Sequence, residues 1–346
     1  MTEITIKDIA LKCGVGVSTV SRAINNHPDI NQETKKKIMQ VIEEYNYIPN
    51  NNARNLKRAD AKCIALIVKG ITNPFFSSMI QVIEERSKKV GYALVLRHVN
   101  NSEDEVEIAL ELIKEKKLRG IIFLGGCFTH SKEKIEKIKI PFVFGAIGND
   151  VLEDGMNELQ YSTVSVDDRK EGHRITSYLM DLGHKDIAII STDIDTESIG
   201  SLRVKGYLDA FMERGIPVNP ELIRNVRDKV KSFSYENGYI TTKELIDSGE
   251  KFTAIFAITD ILAIGACRAI YEAGYRIPQD ISVIGFDGIE IGEYMMPALT
   301  TLKQPLEKIA EATINLLIEI LHFNGKHQHI VYPGEIIERE STCRLQ

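Results

Sequence analysis

In the first 48 residues, apolar side chains recur every three or four positions, the spacing of short amphipathic helices. The first helix should end at Gly14, which can adopt the left-handed conformation that caps a C-terminus. A second should begin at Gly16 or Val17 and run to about Asn25, and a third should follow Asn31, a good N-cap. The inward-facing positions are Ile6, Ile9, Ala10, Val20, Ala23, Ile38, Val41, Ile42 and Tyr45. The pattern predicts a three-helix head with helix-turn-helix spacing.

From Cys63 onward, the pattern changes to short apolar strands that alternate with amphipathic helices. Such alternation predicts parallel sheets with helices on both faces. A first set of strands is predicted at Ile64–Val68, Ala93–Leu96, Ile121–Leu124 and Phe142–Phe144. A second set is predicted at Val164–Val166, Ile187–Ile190, Ala254–Ile258 and Ile281–Gly285. The fold class is therefore an all-α head (1–48), a short polar segment (49–61) and an α/β body (62–346) of two doubly wound subdomains.

Composition narrows the class of protein. A chain of 346 residues can hold two or three domains. It opens with charged, helical sequence, and no apolar run approaches the ~20 residues of a membrane span, so we expect a cytoplasmic protein. The cysteines are odd in number and lack paired metal-ligand spacing, which favours reduced, structural thiols. They are Cys13, Cys63, Cys127, Cys267 and Cys343.

Charge is divided unevenly along the chain. Residues 1–60 carry a net charge of +2 and the remaining residues carry −8. The acidic body would repel a polyanion such as DNA, so a nucleic-acid contact would be confined to the head. Lys35, Lys36 and Lys37 could attract phosphates there, or could simply form a solvated surface.

The sequence contains little evidence for a catalytic site. Gly125-Gly126 follows a strand but lacks the third glycine and the acidic residue of a dinucleotide fingerprint. The histidines have no metal-spaced companions and are interpreted as surface residues; they include His98, His173, His184, His322, His327 and His329. We therefore predict neither an enzyme, nor a metal site, nor a bound cofactor.

Four motifs stand in one order and spacing: Thr5-Ile-Lys-Asp-Ile-Ala, Ser18-Thr-Val-Ser-Arg, Tyr47-Ile-Pro-Asn and Ala53-Arg-Asn-Leu-Lys. Together they resemble the lactose-repressor (LacI/GalR) family of bacterial transcription regulators, and the resemblance continues to the C-terminus. It implies a body similar to a type I periplasmic binding protein, with a helix from Pro305 through Phe323 crossing back to the first lobe. The implied lobes are about 62–162 with 292–323, and about 163–291 with 324–346.

The resemblance also implies which residues touch DNA. Val17, Ser18 and Arg22 would meet base edges, where an arginine can discriminate guanine by about 1 to 3 kcal/mol. Gly16 departs from the serine usual before this helix. Four further residues are expected at phosphates or helix ends: Thr5, Thr19, Ser21 and Asn25. The alternative for Thr19, Ser21 and Asn25 is a solvated polar surface.

By the same resemblance, residues 50–58 would fold on operator DNA as a hinge helix and push Leu56 into the minor groove, bending the duplex. A plain flexible linker is the alternative. The expected DNA contacts of this segment are Asn50, Ala53, Arg54, Leu56 and Lys57.

A ligand cleft between the lobes is implied, because open parallel sheets bind at the carboxyl ends of their strands. Asp287 and Arg203 match the family's regular ligand contacts, and a carboxylate and a guanidinium suit a polyhydroxylated ligand. The other matching positions are Phe75, Phe76 and Phe233, expected to stack on a ring, and Asp167, Asp260 and Gln304. Alternatives remain: Phe75 and Phe76 as core, Asp260 as an N-cap, and Arg203 in an interlobe ion pair. Thr259 stands where many sugar-responsive relatives have asparagine.

The sequence thus predicts a ligand-gated transcription regulator, a repressor that reads a pseudo-palindromic operator as a homodimer, with a sugar-like effector. One alternative is a global regulator activated by a phosphorylated carrier protein. A second is a solute-binding protein. Effector identity, its direction of action and the operator bases stay open.

Overall fold

The computed structural model describes residues 4–24, 26–45, 47, 62–100, 103–125, 132–148, 161–192, 198–227, 233–323 and 325–345. The chain divides into two compact units, a head of residues 1–61 and a body of residues 62–346.

The described part of the head contains the three predicted helices, α1 (Ile6–Cys13), α2 (Val17–Ile24) and α3 (Gln32–Glu44). They close a small apolar core of their own, as the helical spacing predicted. The buried members of that core are Ile9, Ala10, Cys13, Val20, Ala23 and Ile38.

The caps of the head helices agree with the sequence. Gly14 is left-handed, with φ 70°, at the C-cap of α1. The Asn31 side chain accepts hydrogen bonds from the Glu33 and Thr34 N–H groups at 2.9 and 3.3 Å. Tyr45 differs from the prediction of a core residue, because its side chain is exposed and the Lys12 ammonium lies 4.1 Å from the centre of its ring.

The body contains two six-stranded sheets. Their strands in chain order are β1 (Cys63–Lys69), β2 (Ala93–Val99), β3 (Leu118–Leu124), β4 (Phe142–Gly145), β5 (Ser162–Ser165), β6 (Ile187–Ser191), β7 (Ile223–Asn225), β8 (Ala254–Ala257), β9 (Ser282–Asp287), β10 (Thr300–Lys303), β11 (His329–Val331) and β12 (Glu335–Ile337). The α-helices described in the body are α4 (Pro74–Lys89), α5 (Glu105–Glu115), α6 (Lys132–Ile135), α7 (Asp168–Asp181), α8 (Ile199–Glu213), α9 (Tyr235–Asp247), α10 (Asp260–Glu272) and α11 (Leu306–Phe323).

Sheet 1 has the order β11-β5-β4-β3-β1-β2 and is parallel throughout. Sheet 2 has the order β12-β10-β9-β8-β6-β7 and is parallel except at β12. Successive residues of β1 enter different cores: Leu66 packs in the larger apolar cluster, and Ala65 and Ile67 pack in the smaller one. Both faces of β1 are therefore covered, which explains why this strand reads as a continuous apolar run.

The predicted lobe boundaries are wrong at three strands. β5 pairs with β4, so the strand predicted at Val164–Val166 belongs to sheet 1 and not to the second lobe. β10 pairs with β9 in sheet 2, although residues 292–323 were assigned to lobe 1, and β11 pairs with β5 in sheet 1. The physical reason is that an apolar run shows that a strand is buried but not which neighbour it will pair with. Lobe 1 is henceforth sheet 1 with α4, α5, α6 and α11, and lobe 2 is sheet 2 with α7 to α10.

Two helix pairs of lobe 2 cross at glycines. A Cβ at Gly206 of α8 would lie 2.0 Å from the Arg169 carbonyl oxygen of α7, and one at Gly172 would lie 2.5 Å from the Arg203 carbonyl oxygen. Gly238 of α9 and Gly265 of α10 meet the partner helix in the same way. The first of these crossings, between α7 and α8, brings Arg203 of α8 against the first turn of α7.

None of the helices in the described residues is long and apolar enough to cross a membrane. Cys13, Cys63, Cys267 and Cys343 are free thiols, and Cys127 lies outside the described residues.

Candidate functional site

Asp287 joins the two lobes at the carboxyl end of β9. Its Oδ2 accepts a hydrogen bond from Asn73 Nδ2 at 2.8 Å, and its Oδ1 accepts one from Gln304 Nε2 at 2.8 Å. Asn73 is the N-cap of α4 in lobe 1, where its own Oδ1 accepts from the Phe75 N–H. Gln304 lies between β10 of lobe 2 and α11 of lobe 1. We call this set, with Arg203 and Asp168, the interlobe site.

Arg203 is held beside Asp287 by contacts on all its edges. Its Nε donates to Asp168 Oδ1 at 2.8 Å, Nη2 lies 2.8 Å from the same oxygen, and Nη1 donates to the Ile258 carbonyl. The guanidinium also lies 3.4 Å above the ring of Phe286, and Nη1 is 3.7 Å from Asp287 Oδ1. The Arg203–Asp168 pair lies wholly within lobe 2, so the alternative of an interlobe pair does not describe it.

Asp260 is fully buried behind the site. Its Oδ2 accepts from the N–H groups of Gly288 and Ile289, each at 2.8 Å, and its Oδ1 accepts from the Thr301 hydroxyl at 2.6 Å. The N-cap of α10 is Thr259, whose hydroxyl accepts from the Leu262 N–H, so the alternative of Asp260 as the N-cap is wrong.

Three carboxyl groups and one guanidinium are thus buried together, and burial disfavours a lone charge. It raises the pKa of Asp168 to about 6, against the opposing effect of Arg203. It raises the pKa of Asp260 to about 8, with a further contribution from the charge of Asp287. Burial also raises the pKa of Asp287, while Arg203, Asn73 and Gln304 act in the opposite direction.

The predicted aromatic residues occupy different environments. Phe75 is buried in the core of lobe 1, and Phe76 is half-buried with its ring 5.4 Å from that of Phe75 in an edge-to-face arrangement. Phe76 also packs against Gly125, at the carboxyl end of β3, where a Cβ would come within 2.5 Å of its ring. Phe76 therefore lies at the sheet edge that carries the site. Phe233 is half-buried and packs against the larger apolar cluster.

The Asp167 side chain makes its hydrogen bond within its own helix. It is the N-cap of α7, and its Oδ1 accepts from the Lys170 N–H at 2.9 Å. It also lines a groove of about 540 Å³ together with Arg169, Lys170 and Lys205. The residue beside it, Asp168, is the one that contacts Arg203.

The described DNA-contact candidates lie on α1 and α2. Val17, Ser18 and Arg22 are exposed on α2, opposite its buried Val20 and Ala23, and Thr19 and Ser21 are half-buried. Thr5 donates through both its N–H and its hydroxyl to Asp8 Oδ2, so it starts α1. The candidates that lie outside the described residues are Asn25, Asn50, Ala53, Arg54, Leu56 and Lys57.

Comparison with known proteins assigns the family. Residues 5–50 match the bacterial regulatory proteins of the lacI family, and residues 176–342 match a periplasmic binding protein-like domain. The chain is 39% identical, over 98% of its length and 99% of the relative's, to the HTH-type transcriptional regulator MalR of Clostridium butyricum. The chain belongs to the LacI family of bacterial transcriptional regulators. This membership confirms the resemblance drawn from the motifs and argues against a solute-binding protein.

Solved structures of the LacI family have the same architecture. The lac repressor dimer bound to operator and an anti-inducer superposes with a TM-score of 0.73 at 23% identity, covering 99% of this chain and all of that one. A LacI family regulator from Enterococcus faecium with bound ribose superposes with a TM-score of 0.70 at 29% identity, covering 82% of this chain and all of that one. The predicted fold class, a helix-turn-helix head with two parallel-sheet α/β subdomains, is confirmed.

The sequence reasoning missed two residues of the interlobe site. Asn73 precedes Pro74 in the turn that follows β1, a recognisable N-cap, but its second bond to Asp287 depends on how the lobes meet. Asp168 was passed over for its neighbour Asp167. Asp167 is the N-cap of α7 and Asp168 is its first residue, and the contact of Asp168 depends on how α7 packs against α8.

Proposed function

We propose that this protein is a ligand-gated repressor that binds a pseudo-palindromic operator as a dimer and takes an uncharged sugar, or a related polyol, into the interlobe site. The observation that carries the proposal is Asp287. Its carboxylate meets side chains from lobe 1 and from the crossover, beside a guanidinium, at the carboxyl ends of the strands. Hydroxyl binding at this position between the lobes would therefore depend on the relative placement of the two lobes.

The charges of the site favour an uncharged effector. Asp168 and Asp287 are buried there, and the guanidinium of Arg203 is already engaged by Asp168 and the Ile258 carbonyl. A phosphate would need a free cation in this setting, whereas sugar hydroxyls can both donate to carboxylates and accept from amides. The half-buried ring of Phe76 could cover a sugar face. The ribose bound by the relative from Enterococcus faecium supports this class.

On DNA, the exposed side of α2 would enter the major groove. Val17, Ser18 and Arg22 would contact base edges, and Thr5, Thr19 and Ser21 would contact phosphates or support the helix ends. One head spans one half-site, so two subunits would read two related half-sites. The lac repressor dimer on its operator supports this arrangement. Operator DNA lies in the bacterial cytoplasm, where the regulator would act.

The hinge segment would complete the coupling. Leu56 would enter the minor groove at the operator centre, with Asn50, Ala53, Arg54 and Lys57 beside the backbone. Effector bound between the lobes would change their relative placement and alter operator affinity by about 1 to 3 kcal/mol.

The DNA part of the proposal is tested by selecting binding sites from random duplex DNA with the full-length protein. We expect two related half-sites about one helical turn apart. Selection of a single half-site, or of no preferred sequence, would contradict the dimeric operator.

The effector part is tested by thermal shift with ribose, glucose, maltose, cellobiose, ribose 5-phosphate and hypoxanthine. A ligand at a hundredfold its Kd adds about 2.7 kcal/mol and shifts Tm by several degrees. Asp287→Ala should abolish the shift and the change in operator affinity while leaving operator binding itself intact. The matched control is Asp247→Asn, on the exposed side of α9. A response to the phosphate alone, or to a phosphorylated carrier protein and no sugar, would overturn the uncharged effector.

A further inference from the structure

The carboxylate of Asp260 is committed entirely to neighbouring protein atoms. The side chain is 0% exposed, and its two oxygens accept three hydrogen bonds, from the Gly288 and Ile289 N–H groups and from the Thr301 hydroxyl. These bonds tie the first turn of α10 to the end of β9 and to β10. The arrangement is that of an internal anchor, because no oxygen of the group reaches the surface.

The segment held by Asp260 has an unusual backbone. Asp287 has φ 117° and Gly288 has φ 78°, so two successive residues lie at positive φ and the first of them carries a side chain. A non-glycine residue in this region is strained and persists only where the surroundings hold it. The N–H groups of Gly288 and Ile289 both donate to one oxygen of Asp260, which supplies the acceptor that these two backbone donors need.

The strand beside Asp260 is shaped to admit its carboxylate. A Cβ at Gly285 would lie 2.1 Å from Asp260 Oδ1, so any side chain there would displace the carboxylate. A Cβ at Gly288 would lie 2.6 Å from Lys303 Cγ and 2.7 Å from Lys303 Cα. The sequence Gly285-Phe-Asp-Gly288 therefore places a glycine on each side of the residue that enters the interlobe site.

We propose that Asp260 is a positioning residue that, through the Gly288 and Ile289 amides, fixes the Asp287 carboxylate where it meets Asn73 and Gln304. In this role Asp260 contacts no effector and instead positions Asp287, which does. The part of this inference that concerns effector binding rests on the proposed function, because Asp287 is the proposed effector contact. The contact between Asp287 and Asn73 is independent of that and can be measured without any ligand.

The experiment is hydrogen exchange followed by mass spectrometry on the full-length chain. In Asp260→Ala, exchange should become about tenfold faster at Gly288 and Ile289, and also at Phe75, whose amide is capped by Asn73. Asp260→Asn should stay within about threefold of wild type, because its amide oxygen can accept from both N–H groups and its NH₂ can donate to Thr301. Thr176→Val, which removes a buried hydroxyl from α7, should leave both segments unchanged.

A second arm separates anchoring from general loosening. Asp287→Ala should speed exchange at Phe75 but not at Gly288 and Ile289. The proposal is overturned if Asp260→Ala leaves either segment at the wild-type rate, or if Asp260→Asn exchanges as fast as Asp260→Ala. No sugar enters these measurements, so a failed effector panel and a failed anchor give different results.

Discussion

Three buried carboxyl groups of lobe 2 each depend on a different set of donors. Asp168 has the Arg203 guanidinium, Asp287 has two side-chain amides, and Asp260 has two backbone amides and a hydroxyl. A buried charge is costly unless such donors surround it. The donors of Asp260 are neutral, and its pKa is the one raised furthest among those with a stated value.

The raised pKa of Asp260 predicts a specific pH dependence. Its ordinary pKa is 3.8 and its folded value is about 8, so the folded state binds the proton more tightly than the unfolded state. Its contribution to the free energy of unfolding is therefore fully present below about pH 4 and is lost as pH rises through about 8. Asparagine at this position cannot titrate.

We expect the free energy of unfolding of wild type, minus that of Asp260→Asn, to fall between about pH 6 and pH 8, by at most about 1.4 kcal/mol per pH unit. Urea denaturation of both proteins across this range measures the difference. A constant difference would show that the carboxyl group does not change its protonation there.

At the scale of the elements, the helix pairs of lobe 2 pack closely because glycines, which have no side chain, lie where the helices cross. Gly172 and Gly206 let α7 and α8 touch backbone to backbone, and Gly238 and Gly265 do the same for α9 and α10. The first crossing also fixes the interlobe site, because Asp168 and Arg203 stand on the two helices that it joins.

Gly206→Ala should destabilise the body by about 1 to 3 kcal/mol, because its Cβ would meet the Arg169 carbonyl oxygen and force the helices apart. Lys205→Ala, on the exposed face of the same helix, should change stability by less than about 0.5 kcal/mol. The midpoint of urea unfolding reports both. Equal stability of the two variants would mean that α7 and α8 can separate without loss.

In the head, Asn31→Ala should cost about 1 kcal/mol, because it removes the acceptor for the Glu33 and Thr34 amides at the start of α3. Operator affinity should fall as the folded fraction of the head falls. Fluorescence anisotropy with labelled operator measures that affinity. Gln40→Ala, exposed within α3, is the control. A change as large in the control would point to the helix surface instead of the cap.

The strands and helices that could be predicted are those with strong local signals. β1, β3, β6 and β8 are continuous apolar runs, and Gly14 and Asn31 end and begin helices by their own chemistry. β10 has no such run. Which sheet β5 and β11 join is decided by pairing with segments distant in the sequence.

The same limit applies to the site. Asp287 and Arg203 could be proposed from the end of a strand and the start of a helix. The contacts of Asp168, Asn73 and Asp260 follow from how helices and lobes pack, and no local pattern contains that information. Whether Phe75, Phe76, Phe233, Asp167 and Gln304 touch an effector stays a prediction.

At the scale of the whole molecule, the head and the body each have a core of their own. A chain that lacks residues 1–61 should therefore fold and keep the thermal shift given by the effector, while losing operator binding. Thermal melting with the panel sugars and anisotropy with labelled operator measure the two properties. Loss of the shift in the truncated chain would mean that the body needs the head.

The path of the chain through the body has a consequence for building chimeras. The backbone passes between the sheets after β5, after β10 and after β11, so each lobe is assembled from separate stretches of sequence. Neither lobe can be transplanted as one contiguous cassette, and a recombinant that exchanges one of them must be spliced in register at all three of these crossings. The head, in contrast, can be exchanged at one junction near residue 61. New DNA specificity is thus obtainable by a single cut in the gene, whereas new effector specificity requires exchanging the body whole or altering individual side chains.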